Sequence, residues 1–369
     1  MAYRKRTLLP IGIHLSADAV HMVQLEEVDN SVEVVAKAVQ HLVPATVSVG
    51  ARRGSADGPG PASAELRCDA ARDFVREKIT TGGFRGRDAI ISLPSEHLVI
   101  QHVRLAPMQP DELAAGLPAE LQGKLPFPPS EAVIRHIVAG TISENGEAKQ
   151  DVIVLAARRG VVEKLVTTFS KLGLTITGVG VEPCAMCYPY TFHASHGEPD
   201  PEGPPALMVV YLGPRATYVA IARGLETTFV KGVELGTDNL VEAMASARKI
   251  TTGEAATMRA KWRDSTGATA LQEAVDAYNG IRWNLEHIVD EIESCMRYHE
   301  SLARGVRLDR IVFLGPEARD KALVRVIGAQ INATCEIGNP LAAVMSTTPP
   351  SDAEPELAVA IGLGLFNAQ

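Results

Sequence analysis

The strongest constraint on this 369-residue chain is one pattern that occurs twice. Residues 8–25 are rich in β-branched and aliphatic side chains around a turn-like Ser16-Ala17-Asp18. The same character resumes at 32–43 after the polar Asp29-Asn30-Ser31. This predicts a three-strand meander whose first hairpin tip is 15–19. Residues 206–222 repeat the form, with Leu212-Gly213-Pro214-Arg215 at the tip and 228–233 as the third strand. Two meanders of one form, each followed by helical periodicity, predict duplicated halves, and 369 residues are enough for two or three packed domains.

Between the meanders the punctuation is clear. Residues 51–63 and 193–205 hold Gly, Pro and polar residues and read as a mobile loop and a linker. Residues 64–81 place Leu66, Ala70, Phe74, Val75 and Ile79 at helical spacing, stopped by Gly82-Gly83. Residues 88–105 alternate as two strands around Pro94-Ser95-Glu96, and a helix starts near Glu112 and ends before Pro126. Asn145-Gly146, between apolar runs at 136–142 and 151–157, predicts a hairpin with a type I′ turn. A helix over 160–172 closes at Gly173 and leads to a strand over 174–181. The domain reading is a first half at 1–85 and 178–195, an inserted lobe at 86–177, and a second half at 196–369 with a helical part at about 240–305. Within it 271–302 reads as one long helix, 310–314 as a buried strand, and Gly315-Pro316 as the turn before a further helix from about Ala318.

Charge and cysteine usage narrow the function. Lys and Arg number 36 against 44 Asp and Glu, a formal −8, so no overall positive field favours nucleic acid or anionic lipid. Five cysteines with no dense stretch read as reduced thiols, and Cys184-Ala185-Met186-Cys187 lacks the further ligands of a zinc site. The basic residues within 1–6 precede an apolar stretch that fails as a signal peptide, because Pro10 interrupts it and His14 ends it. The longest apolar-plus-Gly run, 357–366, is about half of a bilayer crossing. The expectation is a soluble cytoplasmic protein that meets a membrane only through a partner.

Shorter motifs follow in order. They are Gly12-Ile13-His14-Leu15-Ser16-Ala17-Asp18-Ala19-Val20, then Leu105-Ala106-Pro107-Met108, Glu112-Leu113 and Leu125-Pro126-Phe127-Pro128. After them come Val154-Leu155-Ala156-Ala157-Arg158-Arg159, Glu182-Pro183-Cys184-Ala185, Asp309-Arg310-Ile311-Val312-Phe313-Leu314-Gly315 and Ala360-Ile361-Gly362-Leu363-Gly364-Leu365. The ordered set resembles the actin, Hsp70 and sugar-kinase superfamily, and within it the PilM family of type IV pilus assembly proteins, which is related to the division protein FtsA.

The resemblance implies an α/β, actin-like (ribonuclease H-like) duplicated fold with an inserted α+β subdomain, in which two hairpin tips grip nucleotide phosphates. By that match Ser16, Ala17, Asp18, Gly213, Thr217 and Gly315 would touch a nucleotide, and Glu182 takes a position that orients the attacking water. The departures then matter. Active relatives place an Asp in each hairpin to hold Mg²⁺ through its waters, and here those positions are His14 and Tyr211. Asp18 has the wrong sign for a phosphate, Pro214 removes a donor, and Gly315-Pro316 replaces an expected Gly-Gly. The expectation is therefore a scaffold of a type IV pilus or type II secretion-like inner-membrane assembly, without a cofactor or metal, and with hydrolysis lost and Glu182 a relic. It would bind the cytosolic tail of a bitopic, PilN-like partner and is compatible with a homo-oligomer. The alternative is an active ATPase or kinase of this fold, binding ATP and Mg. The tail is expected between the first half and the inserted lobe, with Leu125 and Phe127 as a wall. A second reading, that Phe127 caps the core of the lobe, stays open.

Overall fold

A computed structural model describes residues 6–28, 31–42, 61–144, 146–192, 206–224, 226–263, 267–302, 308, 310–331, 333–345 and 353–366. The chain opens with strands β1 (Arg6–Leu8), β2 (Ile11–Leu15), β3 (Ala19–Val28) and β4 (Ser31–His41), then helix α1 (Pro61–Thr81) and β5 (Asp88–Ser92). The loop expected at 51–63 lies outside the described residues except for 61–63, which begin α1. Next come β6 (Val99–Leu105), α2 (Pro110–Glu120), β7 (Ala132–Glu144), β8 (Glu147–Arg158), α3 (Arg159–Ser170), β9 (Thr175–Gly180), α4 (Glu182–Ala185) and α5 (Tyr188–Thr191). The linker expected at 193–205 is also outside the described residues. The second half holds β10 (Ala206–Leu212), β11 (Thr217–Arg223), β12 (Glu226–Val233), α6 (Thr237–Arg248), α7 (Thr252–Arg263), α8 (Ala268–Asn279) and α9 (Arg282–Leu302). It closes with β13 (Arg310–Leu314), α10 (Lys321–Gly328), β14 (Thr334–Ile337), α11 (Pro340–Val344) and α12 (Ala358–Leu365).

The duplication is visible in the pairing. One sheet runs β4-β3-β2-β5-β9, with β1 also on β3, and the other runs β12-β11-β10-β13-β14. Each is an antiparallel meander extended by two parallel strands. This pairing corrects the start of the inserted lobe. Residues 88–92, expected inside it, form β5, which pairs with β2 and β9 in the middle of the first sheet. Ala89, Ile90, Ile91 and Ser92 are all buried, as parallel strands covered on both faces require. The far side of the insertion shifts as well, since Phe169 and Leu174 pack in the core of the first half.

Residues 93–158 hold a separate sheet in the order β6-β8-β7. The β7–β8 hairpin pairs Glu144 with Glu147, and Gly146 has φ +84°. Val152, Val154 and Ala156 of β8 face a small core with Leu113, Leu117 and Leu121. The alternate Ile153 and Leu155 join the core of the second half, so β8 is covered on both faces. The long helix expected at 271–302 is two. Gly280 ends α8, which packs on α10, while α9 lies against β7 and β12. Glycine, second only to proline in its cost to a helix interior, marks the corner. A 3-10 turn at Pro316–Arg319 precedes α10, whose first turn is capped by Asp320 accepting from the Leu323 amide at 3.1 Å. All eight residues of α12 are buried, which accounts for the apolar run at the end of the sequence. Among the described residues no helix is long and apolar enough to cross a membrane.

Candidate functional site

The β2–β3 tip, the β10–β11 tip and the Gly315 turn are the three places where the sequence sets candidate nucleotide contacts. In each, one backbone amide is already engaged within the protein. The Ser16 amide donates to Ala19 O at 2.9 Å, and Ser16 Oγ lies 2.9 Å from both Asp18 Oδ1 and Ala19 O, so Ser16, Ala17 and Asp18 form a self-closed turn. The Gly213 amide donates to Ala216 O at 3.1 Å, and the Thr217 hydroxyl donates to Leu235 O at 2.8 Å. Gly315 has φ +90°, donates its amide to Pro355 O at 3.1 Å, and sits so that a Cβ would come 2.5 Å from Leu212 O. Behind this turn Arg259 donates to Tyr278 Oη at 2.7 Å and to Glu317 Oε2 at 2.8 Å, and the Tyr278 hydroxyl donates to Asp320. Sequence reasoning did not identify that network, whose members lie far apart in the chain.

Between the tips, side chains fill the centre. His14 is fully buried, with Nε2 at 2.9 Å from Glu182 Oε1. Its ring stacks on His21 at 5.3 Å and meets Tyr211 edge-on at 6.2 Å. Burial, and then the Glu182 charge, push the Tyr211 phenol far above its usual range, so it stays protonated. Burial, and then His14, hold His21 well below the ordinary histidine range. Glu182 is thus brought to the expected centre. His21 is an addition, placed opposite His14 by hairpin register. Cys187 lies in the core of the second half and Cys184 packs against it, and burial pushes both thiols up, Cys184 to about 12. Among the described residues no group of three or more His, Cys, Asp or Glu is gathered to hold a metal.

A second feature is an apolar groove of about 320 Å³ between the first half and the inserted lobe. Val133 and Ile137 of β7, Val179 of β9, and Val181, Tyr188 and Phe366 are among its walls. Both β7 and β9 are outer strands of their sheets. Tyr188 and Phe366 meet edge-on at 5.6 Å, and Phe366 is 51% exposed. Leu125 and Phe127, the expected wall, are not part of it. They lie in the lobe core with Leu113 and Leu117, and the Arg158 guanidinium stands 5.0 Å from the centre of the Phe127 ring. Phe127 is buried in the lobe, where removing its ring from water gains more than an exposed wall would.

A family model described as type IV pilus assembly protein PilM matches residues 12–367. No curated protein matches the chain. Among solved structures, a chain of the PilM-PilN type IV pilus biogenesis complex superposes with a TM-score of 0.71 at 19% identity, covering 98% of each chain. The ethanolamine utilization protein EutJ from Carboxydothermus hydrogenoformans superposes with a TM-score of 0.50 at 14% identity, covering 98% of this chain and 90% of that one. At these identities the superpositions speak for the actin-like fold.

Proposed function

Because the chain belongs to the PilM family of type IV pilus assembly proteins, we propose that it is a cytoplasmic scaffold that holds the extended tail of a bitopic inner-membrane partner in the groove between β7 and β9. The similar complex pairs PilM with PilN, and a PilN-like tail is the occupant that this reading gives the groove. The observation that carries it is an apolar channel with an outer sheet strand on either side, which suits an extended peptide. Calorimetry with a synthetic peptide of the tail tests it. Val133→Arg should weaken binding at least tenfold with Tm unchanged, and equal binding by the variant would remove the groove from the mechanism.

In the same proposal the centre no longer hydrolyses nucleotide. The residues do not fit Mg·ATP. The amides of Ser16, Gly213 and Gly315 are engaged, and Glu182, the carboxylate at the centre, is tied to His14. Mg·ATP should bind no tighter than about 100 μM, or about −5.5 kcal/mol. Micromolar, Mg-dependent binding would favour the ATPase reading.

A further inference from the structure

A second cavity, of about 210 Å³, lies on the other side of the inserted lobe, between β7, β11, β12 and α9. Its walls include Ala139, Arg223, Thr228, Tyr298 and His299. Tyr298 Oη and His299 Nε2 are buried and have no hydrogen-bond partner in the protein. Buried polar atoms are almost always satisfied, and the cavity beside these two is where a partner can enter. Its volume is more than ten times the roughly 10–15 Å³ that one water needs. Burial, and then Arg223, lower the His299 pKa while the Glu300 charge opposes them, and in the Nε2–H tautomer the neutral ring offers its N–H to a ligand.

We propose that this cavity binds a small oxyanion of the carboxylate or phosphate class, with the Arg223 guanidinium, the Tyr298 hydroxyl and the His299 ring as donors. Charge-assisted hydrogen bonds to such a ligand would satisfy both unpartnered atoms. The position gives the site a consequence. Val133 and Ile137 of β7 wall the groove and Ala139 of the same strand walls the cavity, so an anion here would brace the strand that also borders the groove.

The test is calorimetric titration of the full chain, at constant ionic strength, with inorganic phosphate and separately with succinate. Saturable binding of at least one anion is expected. Tyr298→Phe should weaken it at least fivefold with Tm unchanged or raised, because the variant removes an unpartnered hydroxyl without changing shape. Which probe saturates separates a phosphate site from a carboxylate site. No saturable binding of either anion, or an affinity unchanged in Tyr298→Phe, would overturn the proposal. Neither readout involves the peptide, so failure here leaves the groove untouched.

Discussion

His14 stands where the resemblance expects a carboxylate, and Glu182, 168 positions along the chain, meets it at 2.9 Å. Removing one member of a buried pair leaves the other unsatisfied, so His14→Leu should cost about 3 kcal/mol or more, and so should Glu182→Leu. The double variant should recover much of the loss, with a coupling of about 1–3 kcal/mol in urea melts. Simple addition of the single effects would show that the two residues do not interact. The neighbouring His21 gives a pH prediction. Its native pKa is depressed, so below about pH 6.5 the unfolded chain takes up a proton that the native state refuses, and stability falls as pH drops. His21→Phe should flatten that slope between pH 6.5 and 5 by up to about 1.4 kcal/mol per unit, and an unchanged slope would acquit the ring. His14 and Glu182 were legible singly as departures and matches. Their contact was not, because spacing along a chain does not report distance across it. His21 had a usable signal, since a tip at 15–19 sets residues 14 and 21 opposite one another.

At the scale of elements, α12 is held by close approach. A Cβ on Gly12 of β2 would fall 1.9 Å from Ala360 O, and one on Gly362 would fall 1.8 Å from Ala185 O. Both obstacles are backbone, which cannot swing aside as a side chain can. Gly362→Ala should therefore cost about 3 kcal/mol or more, at the upper end of overpacking penalties. Gly116 of α2 is the control, because nothing lies within 4 Å of its Cβ position. Gly116→Ala should stabilise by about 0.5–1 kcal/mol through helix propensity, read as a urea midpoint shifted at constant slope. The sequence showed where hairpins turn, because Asn145-Gly146 and the first tip carry their own chemistry. It misplaced β5, since a short apolar run does not say which sheet will hold it. It also ran α8 and α9 together, because helical periodicity continues across Gly280.

The whole molecule was legible in outline because its two halves repeat one plan, and so was the place of the groove between the first half and the inserted lobe, whereas its walls were not, because they come from β7, β9, α5 and Phe366 beyond α12. Phe127 shows the difference: an aromatic between prolines is legible as an anchor, but only the packed lobe shows that it anchors inward. The groove also takes consecutive residues Arg135, His136 and Ile137 from β7. Alternate residues point to opposite faces of a strand, so a wall built from three in a row wraps around the strand's open edge. A peptide tail laid along that edge would pair with its main chain, and every second amide of the tail would point at β7. N-methylation of a synthetic tail, one residue at a time, reads this directly. Each blocked pairing amide should lose about 0.5–1.5 kcal/mol, a fall of roughly two- to tenfold in affinity, while methylation at the interleaved positions should have little effect. Losses that follow the apolar side chains of the tail, with no alternation along its backbone, would mean that the groove holds its occupant by pockets alone.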